Sequence, residues 1–447
     1  MSRMSGLIAA AAMIALAGCA TAPGRVARAE ASIEAIARDA VDRGFAPGVV
    51  VLVKEGDAAP FAYAYGARDI EDGDPLQMDD LFRIYSMTKP VTVAAALILV
   101  DDGVLSLDDP VEKFIPSFGA ARVYAGGDTI EAMRTEPLQR PLTIRDLMRH
   151  TAGMTYKSAD PHPVRRLYVL RGIDTGSGAD IPPQDGSPPV SSSAELADRI
   201  AAIPLLDQPG ARFSYGNAID VLGRIVEVAS GQRLGEFMRM RIFAPLGMND
   251  TTFRIEVTDA PRMTAAYSAP RTTTPSGGIL DAATLEELGS GALRLADPST
   301  ASVFSRPRPM DYGGAGLVST PGDYMRFARM LLDGGALGEV RILSRSAVKE
   351  MTSEQLSPET LAASDALTRE GVTFGLGVSI TNNRALSKSG APEGTYFWSG
   401  AASTLFWVDP ENKIAGVIMT QVFDGEFRTF QLEMMKAIYR QELRPAR

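Results

Sequence analysis

The sequence predicts an α/β chain in which one antiparallel sheet, assembled from both ends of the polypeptide and flanked by helices, carries an all-helical region inserted between its halves. Three observations carry this. Strand-like runs come in pairs near each terminus, each pair with an amphipathic helix. The stretch between them is dominated by helical periodicity. The 447 residues, 45% apolar and 22% charged, have a globular composition and room for one large domain or two of ordinary size. On this plan residues 30–100 and 310–441 build the sheet domain, and residues 101–309 form the helical insertion with long loops.

In chain order, Arg3 precedes an apolar run from Leu7 to Leu16, shorter than the roughly 20 residues a membrane span needs and suited to a signal peptide over residues 1–18. The run ends in Leu16-Ala17-Gly18-Cys19, which resembles the lipobox of bacterial lipoproteins. That resemblance implies cleavage before Cys19, acylation of its sulfur and amino group, and a tether over residues 19–29. Ala20 in place of an aspartate implies the outer membrane, so the expected location is its periplasmic face. A fortuitous lipobox would leave the protein secreted or periplasmic. Cys19 is the single cysteine, so no intramolecular disulfide forms.

Glu30–Arg43 reads as a helix with Ile33, Ile36, Ala37 and Val41 on one face and Gly44 as its stop. Val49–Val53 and Phe61–Tyr65 read as strands joined by a Gly/Asp/Pro turn. At the far end, Thr404–Val408 and Ile414–Thr420 are strands around Asp409-Pro410-Glu411-Asn412, followed by a helix from about Glu426 to Arg440. Between them, helices are expected over Val91–Val100, Ile144–Arg149, Ala194–Ala202, Ala218–Ser230, Leu234–Phe243 and Tyr324–Leu332. Ser158–Ser193 and Thr272–Gly316 are loop-like, and loops that long are usually functional rims or disordered.

Charge and residue counts remove several function classes. A net charge of −9 disfavours nucleic acid and anionic lipid as partners, both of which need clustered Lys and Arg. Only two histidines occur, His150 and His162, so a Ser-His-Asp hydrolase is barely available and an all-histidine zinc site is excluded. Neither a Gly-x-Ser-x-Gly elbow nor a His-Glu-x-x-His string is present.

Ser86-Met87-Thr88-Lys89 offers another route to an activated serine. Pro90 is tolerated only in a first helical turn, which places the start of the apolar Val91–Val100 helix near Ser86. There backbone N–H groups are unsatisfied, the dipole is positive, and Lys89 faces the same side three residues on. A serine hydroxyl needs a neighbour to take its proton. A lysine amine, with a pKa of about 10.4 in water, serves when burial and a nearby hydroxyl pull it down to roughly 7–8. The bland alternative makes Ser86 an N-cap and Lys89 a surface charge. A second such string, Ser346-Ala347-Val348-Lys349, lies in a charged, exposed-looking helix and is set aside.

Tyr215-Gly216-Asn217 follows a turn-rich stretch just before the Ala218 helix. With Ser86 and Lys89 it resembles the serine β-lactamase and penicillin-binding family, closest to class C β-lactamases and family VIII carboxylesterases. Thr143–Met154, Pro245–Met248 and Gly314–Pro321 with Asp323 and Arg326 resemble further family stretches and are read as structural; so is His150, as a capping or core residue. The resemblance implies a β-lactamase/transpeptidase-like fold. It also implies that Tyr215 shuttles a proton between nucleophile and leaving group, and that Asn217 anchors the lysine and the substrate's amide or carbonyl.

The family's Lys-Thr-Gly string is absent. Lys388-Ser389-Gly390 runs into the turn Ala391-Pro392-Glu393-Gly394, whereas Trp398-Ser399-Gly400 leads into the strand after Ala401 and resembles the Trp-Gly-Gly of family VIII esterases. An indole has an apolar face and one donor where the family carries an ammonium for a substrate carboxylate, so neutral acyl esters are the expected substrates. Aromatic packing alone is the other reading of Trp398. The resemblance further places the oxyanion hole at the backbone N–H groups of Ser86 and Ala401. It implies no metal or organic cofactor.

The expected activity is hydrolysis of small carboxylic esters through an acyl-enzyme, with Ser86, Lys89 and Tyr215 catalytic and Asn217, Trp398, Ser399, Gly400 and Ala401 around the substrate. The expected partners are a small acyl substrate and, through Cys19 alone, a membrane. The alternatives are a β-lactamase or D-alanyl-D-alanine carboxypeptidase using Lys388, an acyltransferase, and a non-catalytic envelope binding protein.

Overall fold

Gly48–Glu55 (β1) and Phe61–Asp69 (β2) form the first hairpin of an eight-stranded antiparallel sheet, with Asp74–Pro75 (β3) at its edge. The computed structural model describes residues 23–156, 161–173, 182–269, 293–364, 371–423 and 427–439. The remaining strands come from the other end of the chain: Val372–Phe374 (β4), Ser379–Thr381 (β5), Tyr396–Ser399 (β6), Leu405–Asp409 (β7) and Ile414–Met419 (β8). Their order is β4-β5-β6-β7-β8-β1-β2-β3, so the two ends meet where β1 pairs with β8, Val51 opposite Ile418.

Alternation along β1 explains the layers. Val49, Val51 and Val53 pack with Ile33 and Ala37 of the Arg25–Asp42 helix and with Met434 and Ile438 of the Phe427–Tyr439 helix. Val50 and Leu52 face the larger core on the other side, which holds the Thr88–Asp101 and Pro321–Leu332 helices. The Thr88–Asp101 helix is apolar all round and buried almost throughout, as a central helix must be.

Three sequence expectations change. The first helix starts at Arg25, not Glu30, so residues 25–29 of the expected tether are helical. Its cap comes from a strand: the Glu55 carboxylate accepts the Arg25 and Val26 N–H groups at 3.0 Å each, a long-range partner that no local pattern reveals. The Ser158–Ser193 stretch contains a helix, Pro163–Leu170, buried through Val164, Leu167 and Tyr168 and started by Pro163. Nor is the insertion all-helical. Arg122–Tyr124 pairs with Thr135–Pro137, and Ala266–Ser268 pairs with Arg294–Asp297, ladders too short to show alternation. Cys19 and the apolar run before it lie outside the described residues.

Candidate active site

The short strand Phe82–Arg83 pairs with Val318–Ser319 and hands the chain to a single tight turn, Tyr85–Met87, at the mouth of the Thr88–Asp101 helix. Tyr85 sits at φ +42°, a left-handed conformation costing on the order of 1–3 kcal/mol for a bulky residue. Packing on both sides holds it there. Its ring meets Phe304 and Phe423 edge-on at 5.9 and 5.3 Å. Beside it, buried Arg83 bonds Asp297 and the Thr264 carbonyl, both at 2.6 Å. The helix's N-cap is Met87, which offers no side-chain cap, so the Ser86 hydroxyl is not spent on capping. Instead Ser86 Oγ accepts from Tyr215 Oη at 2.8 Å and from Lys89 Nζ at 3.1 Å.

Lys89 is fully buried. Its Nζ donates to the Gly314 carbonyl at 2.6 Å and stands 4.8 Å from the centre of the Tyr215 ring and 5.6 Å from that of Tyr156. Gly314 is itself pinned: its N–H donates to Asp220 Oδ1 at 2.8 Å, while Asp220 Oδ2 accepts Asn217 Nδ2 at 3.1 Å. Thr92 grips the neighbouring Gly313 carbonyl at 2.7 Å. Close approach is required here, since a Cβ on Gly314 would stand 2.6 Å from Asp220 Oδ2. Asp220 is therefore a positioning residue that sequence reasoning missed. The available signal was an acid in the first turn of the Ala218–Ser230 helix, three residues after Asn217 and among Ile219, Val221 and Leu222.

Tyr215 is held by an aromatic cage. His150, Tyr156 and Trp398 lie at ring distances of 4.7, 5.4 and 5.5 Å. Its backbone is fixed where Ser214 N–H donates to the His150 carbonyl at 2.8 Å and Gly216 lies flat on Thr155, whose backbone a Cβ would meet at 2.5 Å. His150 is fully buried, and neither ring nitrogen has a hydrogen-bond partner among the described residues. Burial, and then the Lys89 charge, hold its pKa well below 6.5, so it is neutral at pH 7. Tyr156, also missed from the sequence, is pushed well above its ordinary value by burial, then by neighbouring Tyr215 and Asp220 and by its hydrogen bond to Tyr215. It stays protonated.

Strand β6 supplies the facing wall. It abuts the Tyr85–Met87 turn because Gly400 has no side chain; a Cβ there would stand 2.4 Å from the Ile84 carbonyl oxygen and 2.2 Å from Thr404 Oγ1. Ser86, Tyr215, Trp398, Ser399, Gly400 and Ala401 thereby line one cavity of about 320 Å³, the size of a small-ligand site. The Ala401 amide makes no hydrogen bond among the described residues. The string beside Ser86 is thus Trp398-Ser399-Gly400. Lys388–Gly390 lies in the turn before β6, although Lys388 reaches the same cavity. Ser346 and Lys349 are exposed on the Arg345–Met351 helix, with Ser346 bonded to Ser344 at 2.9 Å, outside the cavity.

A family model described as Beta-lactamase matches residues 33–437. An uncharacterized protein of Mycobacterium tuberculosis (strain CDC 1551 / Oshkosh) is 34% identical over 383 residues, covering 84% of this chain and 86% of the relative. The esterase EstB of Burkholderia gladioli is 30% identical over 407 residues, covering 88% and 90%. Among solved structures, EstCE1, described as a hydrolase with promiscuous acyltransferase activity, aligns with a TM-score of 0.71 at 26% identity, covering 92% of this chain and 99% of that one.

Proposed function

The chain belongs to the beta-lactamase family and has its β-lactamase/transpeptidase-like fold, and from that premise we propose that it is a serine hydrolase cleaving small carboxylic esters through an acyl-enzyme. The observation that carries this reading is the double contact at Ser86 Oγ, 2.8 Å from the Tyr215 phenol and 3.1 Å from the Lys89 amine. Such a pair supplies a proton acceptor without histidine. Ser86 Oγ attacks the ester carbonyl; its proton passes to the Tyr215–Lys89 pair. The tetrahedral oxyanion is held by the Ser86 and Ala401 N–H groups. Tyr215 then delivers a proton to the departing alcohol, and water releases the acid by the same steps in reverse. An alcohol entering in place of water gives acyl transfer by the same residues.

The indole favours an ester over a β-lactam, because an apolar ring and not an ammonium holds that place on β6, while Lys388, which also lines the cavity, lies on the turn before the strand. Turnover of p-nitrophenyl butyrate against nitrocefin separates the two. The reading expects ester turnover that is lost in Ser86→Ala. Fast nitrocefin hydrolysis abolished by Lys388→Ala would replace it with a β-lactamase.

For location, the proposal is a lipid anchor at Cys19 holding the enzyme at the periplasmic face of the outer membrane, supported by the Leu16-Ala17-Gly18-Cys19 string. Metabolic labelling with a palmitate analogue should mark the wild type and not Cys19→Ala. A processed, unlabelled wild type would make it a soluble secreted protein.

A further inference from the structure

The sequence led to an active site without a substrate-facing ammonium. The structure limits that expectation to the immediate surroundings of Ser86. The same cavity is also lined by Val372, Phe397 and Leu405, by Leu432 and Met435 of the C-terminal helix, and by Ser387, Lys388 and Ser389. Lys388 is the single formally charged side chain among the described residues that line it. In a chain of net charge −9, that one charge is positive. Lys388 makes no ion pair among the described residues. Two hydroxyls flank it, Ser387 Oγ and Ser389 Oγ, 3.0 Å apart, and the Ala391 N–H holds Ser389 Oγ at 3.3 Å. A lysine and two serines in the wall of the cavity that Ser86 also lines, with apolar side chains making up much of the rest, match a carboxylate set at a distance from the scissile ester.

We infer that Lys388 is a specificity-determining residue, and that the preferred substrates are esters bearing a carboxylate remote from the reacting carbonyl: half-esters of dicarboxylic acids, or esters of hydroxy acids. This rests on the ester-hydrolase reading above and adds a substrate class to it. The apolar stretch binds the linking carbons, Trp398 keeps the reacting end neutral, and the 387–389 turn holds the acid.

Two matched pairs test this: p-nitrophenyl butyrate with mono-p-nitrophenyl glutarate, and phenyl butyrate with 4-(butyryloxy)benzoate. The first pair places the acid on the acyl side, the second on the alcohol side. Each is measured at low and high salt with wild type, Lys388→Met and Lys388→Glu. The expected result is a wild-type kcat/KM favouring the acid member of one pair. That preference falls about 3- to 10-fold in Lys388→Met and further in Lys388→Glu, shrinks with salt, and is carried by KM, while the neutral esters stay within about 2-fold. Equal effects on charged and neutral esters, or no preference in either pair, overturns the inference and leaves the hydrolase intact. No turnover of any ester by the wild type overturns both.

Discussion

Replacing Asp220 by Asn tests whether the buried network behind Lys89 sets the reactivity of the site. The carboxylate accepts two donors, Gly314 N–H at 2.8 Å and Asn217 Nδ2 at 3.1 Å. An asparagine keeps one acceptor and turns an NH₂ group toward a donor, so one hydrogen bond to a charged group, worth about 1.5–3 kcal/mol, is lost. Gly314 is the residue whose carbonyl receives Lys89 Nζ at 2.6 Å, and Lys89 stands only 3.1 Å from Ser86 Oγ. A shift of about 0.5 Å there is enough to spoil a catalytic geometry. If the loss falls wholly on the barrier, kcat drops by about 10- to 150-fold at 1.36 kcal/mol per decade. Asp220 does not line the cavity, so KM should hardly move. The assay is steady-state hydrolysis of p-nitrophenyl butyrate at neutral pH, with urea unfolding to confirm an equal folded fraction. A folded Asp220→Asn enzyme with kcat within about 2-fold of wild type would refute the reasoning.

Two further outcomes concern pH. His150 is neutral in the folded protein and takes up a proton more readily once unfolded, so its contribution to stability is present above pH 6.5 and is lost as pH falls below that value. His150→Phe should therefore gain stability relative to wild type between pH 7 and pH 5 in thermal melts, while retaining activity, since a ring still packs on Tyr215; parallel melting curves, or inactivity equal to that of Ser86→Ala, would contradict this. Asp146 is fully buried: burial pushes its carboxyl up, but hydrogen bonds from Arg140, Arg149 and Thr143 and the Arg140 charge outweigh it and hold the pKa at about 2. That depression from 3.8 corresponds to about 2 kcal/mol of stability, present above pH 4 and lost as pH falls toward 2. Asp146→Asn should be less stable at neutral pH and flatten the acid limb of a urea-midpoint profile; an unchanged limb between pH 4 and pH 2 would place the acid sensitivity elsewhere.

What the sequence made legible was local chemistry. Ser86 and Lys89 lie three residues apart where one helix begins, as Pro90 marks, and Tyr215 sits at the entrance of another, so residue type and spacing sufficed to single them out. Val49–Val53 and Ile414–Thr420 are strand-like on their own, and their pairing into one sheet followed from needing a common core. The misses were side chains acting across distance. Glu55 caps a helix 29 and 30 residues before it, Asp220 holds a glycine 94 residues away, and Tyr156 reaches Tyr215 from a separate loop. Lys388 stood out in the sequence only as a candidate motif lysine; it lies off the strand beside Ser86, and only the folded chain brings its turn to the wall of that cavity.

The most direct test is to identify the acylated atom. Wild-type enzyme mixed with p-nitrophenyl butyrate, quenched in acid and mapped by peptide mass spectrometry, should carry one butyryl group on Ser86, and a fluorophosphonate should label the same residue. Ser86→Ala should show neither. An adduct on any other side chain, or undiminished ester turnover by Ser86→Ala, would contradict the account.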